Sequence, residues 1–198
     1  RRRHTRYPLV TGVQTCALPI FKDYAHAYGF GVASLRYFNA AGASADGSIG
    51  EDHKPETHLI PLILQVALGQ RDSIQVFGDD YPTPDGTCIR DYIHVEDLAT
   101  AHLAALERLE PGKVIEANLG TGVGNSVLEV IEACRKSSGH PIPVVMASRR
   151  AGDPAHLVAE CSLAKQVLNW VPKYTQIDEI VATAWNWHRS HPHGYRNT

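Results

Sequence analysis

The feature that most constrains this chain is the way its hydrophobic period switches, again and again, between that of a strand and that of a helix. Residues 32–38 read as a strand, 59–68 as an apolar helix closed by Gly69, 74–77 as a short strand and 88–92 as another. Leu98, Ala101, Ala105 and Leu109 mark one face of a helix over 96–109. A strand over 114–119 and the capping box Ser126-x-x-Glu129 follow, the latter opening a helix that runs to Arg135. Short strands are expected at 144–147 and 157–160, with Ser162 and Thr175 as the caps of the last two helices. Such alternation implies an α/β protein with parallel pairing, and ligands in these folds gather at the carboxyl ends of strands. Attention therefore falls on the loop after Asn39, the turn at Phe77-Gly78, and the arginines near Tyr92 and Ala147.

Composition excludes several classes. With 198 residues, 43% hydrophobic and 20% charged, the chain can bury a substantial core, and a formal net charge of -2 supplies no general field for a nucleic-acid backbone. The longest nearly apolar run, residues 59–68, is about ten residues against the roughly 20 that span a bilayer, so no membrane association is expected. Cys16, Cys88, Cys134 and Cys161 show neither a C-x-x-C pair nor a regular spacing, which fits a reducing cytoplasm and argues against a zinc centre or a disulfide framework. Residues 1–20 begin with Arg1-Arg2-Arg3, carry two prolines and show no helical or alternating period. They read as a tail foreign to the fold, with a flexible basic arm as the alternative, and not as a targeting signal.

Few motifs suggest chemistry on their own. Gly120-Thr121-Gly122-Val123-Gly124 follows a strand and precedes a capped helix, yet its spacing is not that of a dinucleotide fingerprint and no acidic residue ends the next strand, so it reads as a structural turn. Arg149-Arg150, with Asp153 close behind, could fork phosphate oxygens while the carboxylate accepts from ribose hydroxyls, or could be a solvated surface pair. Arg90-Asp91-Tyr92 is a second such cluster, or a salt bridge at the end of a strand. His191 and His193 read as a solvated tail, and His53 with His58 gives no convergent metal set from sequence.

Taken together, residues 35–42, 76–95, 118–126 and Arg149-Arg150-Ala151-Gly152-Asp153 closely resemble the UDP-glucose 4-epimerase family, extended short-chain dehydrogenases/reductases, in order and in spacing. The resemblance runs from about Phe21 to Tyr195 and covers the C-terminal part of a family member. It implies part of an NAD(P)-binding Rossmann fold interleaved, over 21–198, with a smaller α/β domain that holds a UDP-sugar. The activity implied is the interconversion of UDP-glucose and UDP-galactose, in galactose metabolism, by transient C4 oxidation with bound NAD. A cytoplasmic homodimer is implied for the full-length enzyme. Carried over position by position, Tyr37 and Phe38 border the nicotinamide and Asn39 bonds the substrate near its diphosphate. His58 and Leu59 match substrate contacts, while Gln75, Val76 and Phe77 line the uracil. Arg90 and Arg150 hold the diphosphate, Asp153 the ribose, and Leu157 borders the sugar pocket. No G-x-x-G-x-x-G run occurs, and the family's Tyr-x-x-x-Lys pair would fall near Leu9 and Val13, so no catalytic residue is assigned. Alternatives are a UDP-sugar-binding module without catalysis, or another nucleotide-sugar epimerase or dehydratase.

Overall fold

A computed structural model describes residues 11–195; the run Arg1-Arg2-Arg3 and Leu9 lie outside the described residues. Helix α1 spans Thr11–Tyr28, with Pro19 inside it, and Gly29 follows at φ 71°. The expected absence of helix before Phe21 is thus corrected. A proline without an amide hydrogen and a first turn without an acidic residue conceal a helix from a reading based on periodicity and caps.

Strand β1 (Val32–Tyr37) pairs in parallel with β5 (Val114–Leu119). The chain does not run on through Phe38 as expected: β1 stops at Tyr37, and β2 (Asn39–Ala41) joins a different sheet, parallel to β4 (Ile89–His94). That sheet takes β6 (Gly124–Ser126) antiparallel and β8 (His156–Leu157) parallel, both along β4. The glycine turn therefore ends in a strand, and the strand expected at 157–160 is shorter and begins earlier. A third sheet pairs β3 (Ile74–Phe77) with β7 (Val144–Ala147).

The helices follow from their apolar faces. In α2 (Leu59–Ala67), Ile60, Ile63, Leu64 and Ala67 form one buried stripe, Pro61 sits in the first turn where its missing amide hydrogen costs nothing, and Gly69 turns left-handed beyond the end. Helix α4 (Val127–Ser138) carries the predicted capping box and closes on Gly139 at φ 72°. Helix α6 (Ile177–Ser190) buries Ile180, Val181, Ala184 and Trp187. Full burial of each large apolar side chain stabilises by roughly 1.5–3 kcal/mol. Helix α3 (Val95–Leu106) and α5 (Ser162–Leu168) complete the set. The expected caps are corrected. Cys161 and Gln176 occupy the N-cap positions of α5 and α6 with no side-chain capping bond, and the Ser162 amide and hydroxyl turn back to Glu160 instead.

Two apolar clusters result. One gathers α2, α4, α6 and β3 around Leu64, Val76, Ile131 and Val181; the other gathers α3, β5 and α5 around Ala101, Leu119, Leu168 and Trp170. Strand β4 serves both, because successive side chains point to opposite faces: Tyr92 packs in the first cluster and Ile93 in the second.

The polar residues of β4 join the parts. Asp91, 1% exposed, does not pair with Arg90 as a salt bridge would require. Its Oδ1 accepts from the Thr121 amide (3.0 Å) and hydroxyl (2.7 Å), and its Oδ2 from the amides of Gly122 (3.0 Å) and Ala159 (3.2 Å). Gly120 is required for this approach, since a Cβ there would lie 2.6 Å from Asp91 Oδ2. His94 is fully buried. Its Nδ1 accepts from the Glu96 amide (3.1 Å), capping α3, Nε2 lies 2.9 Å from Thr183 Oγ1, and the ring stacks on Tyr174 at 3.9 Å. Because Thr183 Oγ1 already donates to Ile180 O, this network assigns the proton to Nε2.

Two outcomes follow from β4. Asp91→Ala leaves buried backbone amides without acceptors, at about 1–3 kcal/mol each, so urea unfolding should show a loss of more than about 3 kcal/mol, with Asp91→Asn intermediate. Burial, the largest effect on His94, lowers its pKa below the ordinary 6.5 despite Glu96 and Asp97 nearby. The unfolded chain then binds the proton more readily. The contribution of neutral His94 is complete above pH 6.5 and is lost as pH falls through the folded-state pKa. The urea midpoint should drop between about pH 7.5 and pH 5.5, and His94→Asn, which retains a capping acceptor but does not titrate, should drop less.

Candidate functional site

Strands β2 and β3, the first half of β4, the start of α2 and the loop after β7 border one cavity of about 600 Å³. Asn39, His58 and Leu59 line one side of it, Gln75, Val76 and Phe77 another, and Arg90, Arg150 and Asp153 a third. Tyr37, Phe38 and Leu157 are not among its lining residues. The first two stand 46% and 39% exposed at the end of β1, and Leu157 on β8 pairs with Arg90 across the sheet.

The two adjacent arginines divide. The Arg149 Nε donates to Asp80 Oδ1 at 2.5 Å, its Nη2 donates to Asp80 O, and its guanidinium lies 4.2 Å from the Tyr81 ring centre. It fastens the loop between β3 and β4. Gly78, at φ 91°, allows that fastening, since a Cβ there would lie 2.5 Å from the Tyr81 ring and 2.7 Å from Arg149 Cγ. Arg150 instead lays its guanidinium 3.8 Å over the Phe77 ring, and among the described residues none of its hydrogen-bond donors is engaged. The paired strands β3 and β7 produce this by ending side by side, Phe77 opposite Ala147, with the Gly78 amide on Ala147 O.

Arg90 is pre-set rather than free. Its Nη1 donates to Ile89 O (2.9 Å) and Pro154 O (2.8 Å), and Nη2 lies 4.0 Å from Asp153. Asn39 is held by its Nδ2, which donates to Asp91 O at 2.8 Å. His58 directs Nδ1 at two carboxylates, Glu51 Oε1 at 2.6 Å and Glu56 Oε1 at 3.0 Å. Burial, and then the charge of Glu56, push the Glu51 carboxyl up, against the opposing pull of His58 and His53.

The wall also includes residues that sequence motifs did not single out as site residues: Arg71, Cys88, Tyr92 and Val127. Arg71 is bonded through Nε to Gln65 at 2.7 Å. Tyr92, whose phenol is pushed up by burial, is a core residue that reaches the cavity edge, and the strand pattern alone could not separate that role from packing. Cys88, Cys134 and Cys161 are buried free thiols. His191 is no solvated tail, since it stacks on Trp187 at 3.7 Å. The amides of Thr121 and Gly122, the donors a phosphate would need from the glycine turn, are committed to Asp91, so this turn does not fit a dinucleotide.

Parallel strands ending at a cavity faced by arginines and a carboxylate define the ligand-binding part of a Rossmann-type α/β protein. Over residues 14–120, more than half its length, the chain matches the model of the NAD dependent epimerase/dehydratase family, and it belongs to that family. The match begins inside the stretch read as a tail. A UDP-glucose 4-epimerase of Halalkalibacterium halodurans is 59% identical over 170 residues, 85% of this chain and 51% of that protein, and one of Lacticaseibacillus casei is 55% identical over 170 residues, with the same shares. Among solved structures, the UDP-glucose 4-epimerase of Bifidobacterium longum in complex with NAD+ and UDP is 40% identical with a TM-score of 0.88, over 98% of this chain and 58% of that one. The chain thus spans about half the length of the curated relatives it matches.

The split between the arginines is testable without ligand. Arg149→Ala removes the fastening on Asp80 and Tyr81 and should lower the melting temperature. Arg150→Ala, which loses only its stacking on Phe77, should cost no more than about 1 kcal/mol in urea unfolding.

Proposed function

We propose that this chain supplies the UDP-holding part of a UDP-glucose 4-epimerase, an isomerase that interconverts UDP-glucose and UDP-galactose through transient C4 oxidation with NAD. The observation that carries this reading is the convergence of Arg90, Arg150 and Asp153 with the Phe77 ring on one cavity at the strand ends. A guanidinium stacked on an aromatic ring with its donors open is prepared for a bidentate anion such as a diphosphate. On this reading Gln75, Val76 and Phe77 flank the uracil, Asp153 takes the ribose, and Asn39, His58 and Leu59 meet the diphosphate-sugar end, with Leu157 at the border of the sugar pocket.

The chemistry explains why binding would be concentrated there. A 4-keto sugar must turn over between two hydride transfers, so tight grips on the hexose would oppose the reaction, while grips on the nucleotide would not. Tyr37 and Phe38 would border the nicotinamide. No reaction step is assigned to the described residues, because the 198-residue sequence contains neither Tyr-x-x-x-Lys nor G-x-x-G-x-x-G. A reducing, cytoplasmic setting is supported by the buried free thiols, and no helix among the described residues is long and apolar enough to cross a membrane.

Calorimetric titration with UDP tests the reading. The chain should bind UDP without converting UDP-galactose, since a general base alone is worth about 10²- to 10⁴-fold. Arg150→Ala should cost about 1.5–3 kcal/mol, or roughly ten- to a hundredfold in affinity, and Arg90→Ala a similar amount. Raising salt should weaken the parent more than either variant, because a partly exposed ion pair is screened over about 8 Å at physiological ionic strength. Unchanged UDP affinity in both variants would remove these arginines from the site.

A further inference from the structure

We infer that His53, Glu56 and His58, in the loop leading into α2, form a binding site for one divalent transition-metal ion of the zinc type. Each residue can offer one ligand atom, and these atoms all lie within 4.8 Å of one another. Donors around a tetrahedral zinc at bond lengths of about 2.0–2.2 Å stand roughly 3.4 Å apart, so modest rotation of the side chains closes the set. The two imidazole rings already lie close, with centres 5.2 Å apart and planes tilted by 58°, and both are exposed enough to rotate. Among the described residues, no hydrogen bond or ion pair holds His53.

The anionic member is well placed. Glu56 has its side chain only 7% exposed and is fixed through Oε1, which accepts from the amides of Thr57 and His58, each at 2.7 Å. Its Oε2 takes no donor among the described residues. Glu51 brings a second carboxylate to the same His58 nitrogen, so two negative groups share one imidazole where a dication would satisfy both. A second cavity, of about 330 Å³, opens beside the cluster and is lined by Glu51, Asp52, His53, Glu56 and His188. The lysine and arginine on its wall are paired with other wall residues, Lys54 with Asp52 at 3.4 Å and Arg71 with Gln65. Two imidazoles and a carboxylate suit zinc, nickel or copper, whereas magnesium prefers an all-oxygen octahedral shell.

This site does not depend on the UDP reading, and its test contains no nucleotide. Zn²⁺ is titrated calorimetrically into the untagged chain. We expect one saturable site, weakened at least about tenfold by His53→Ala and by Glu56→Gln, with Mg²⁺ unable to compete. The double substitution of His191→Ala and His193→Ala should leave the affinity unchanged. Circular dichroism of each variant verifies folding, and His53, which holds nothing, provides the clean comparison. The proposal is overturned by the absence of saturable Zn²⁺ uptake, by equal affinity in His53→Ala, by displacement with Mg²⁺, or by loss of binding in the His191/His193 variant.

Discussion

The carboxylate of Asp91 is the point on which the arrangement depends. Water must be removed from a charged group to bury it, and the cost is recovered only where donors replace that water. Asp91 obtains its donors from the glycine turn after β5 and from the backbone just beyond β8, segments that lie far apart in sequence. Its backbone carbonyl meanwhile receives the amide of Asn39. One residue thereby sets the relation between the β4 sheet, the end of β5 and the first residue of β2, which are the elements that bring Asn39 and Arg90 to the same cavity. The glycine turn, so suggestive of a phosphate loop in sequence, is a consequence of the same carboxylate, since its amides face inward.

The legibility of the fold followed the strength of its local signals. Helices α2 and α4 were readable because an apolar stripe coincides with a terminal glycine or a cap, α3 from its apolar stripe alone, and β3, β5 and β7 because each is bounded by turn residues. What failed needed information from outside the segment. Helix α1 before Phe21 has no cap signal and contains Pro19. The division at Phe38 is invisible locally, because one continuous extended run serves two sheets. The caps expected at Ser162 and Thr175 lost to the competing interaction with Glu160 in one case and to a helix start displaced to Ile177 in the other.

The cavity was legible to a similar degree and for a different reason. Residues grouped by their place at strand ends, from Gln75 to Phe77 and from Arg149 to Asp153, do come together, since parallel strands deliver their carboxyl ends to one side. The partition of Arg149 from Arg150 could not be read from the sequence. Adjacent residues in a loop carry no periodic signal, and only the positions of Asp80, Tyr81 and Phe77 decide which guanidinium is consumed by structure and which stays open. His58 likewise acquires its carboxylate partners from a loop without regular structure, where spacing says little about convergence.

Strand β4 places a constraint on the chain that concerns length rather than composition. Since Tyr92 and Ile93 serve separate clusters while Asp91 and His94 hold separate polar networks, each position on this strand has a fixed side as well as a fixed neighbour. Substitutions there act one at a time, but a single-residue insertion or deletion would turn every later side chain to the opposite face, sending tyrosine, aspartate and histidine into one another's surroundings together. The turn-rich segment at 79–86 immediately before it is tied down as well, with Tyr81 buried, Arg149 fastened to Asp80, and the Asp85 carboxylate accepting from the Thr87 amide and hydroxyl. Variation in the number of residues, as opposed to their kind, is therefore resisted by loop and strand together, over the whole run from 79 to 94.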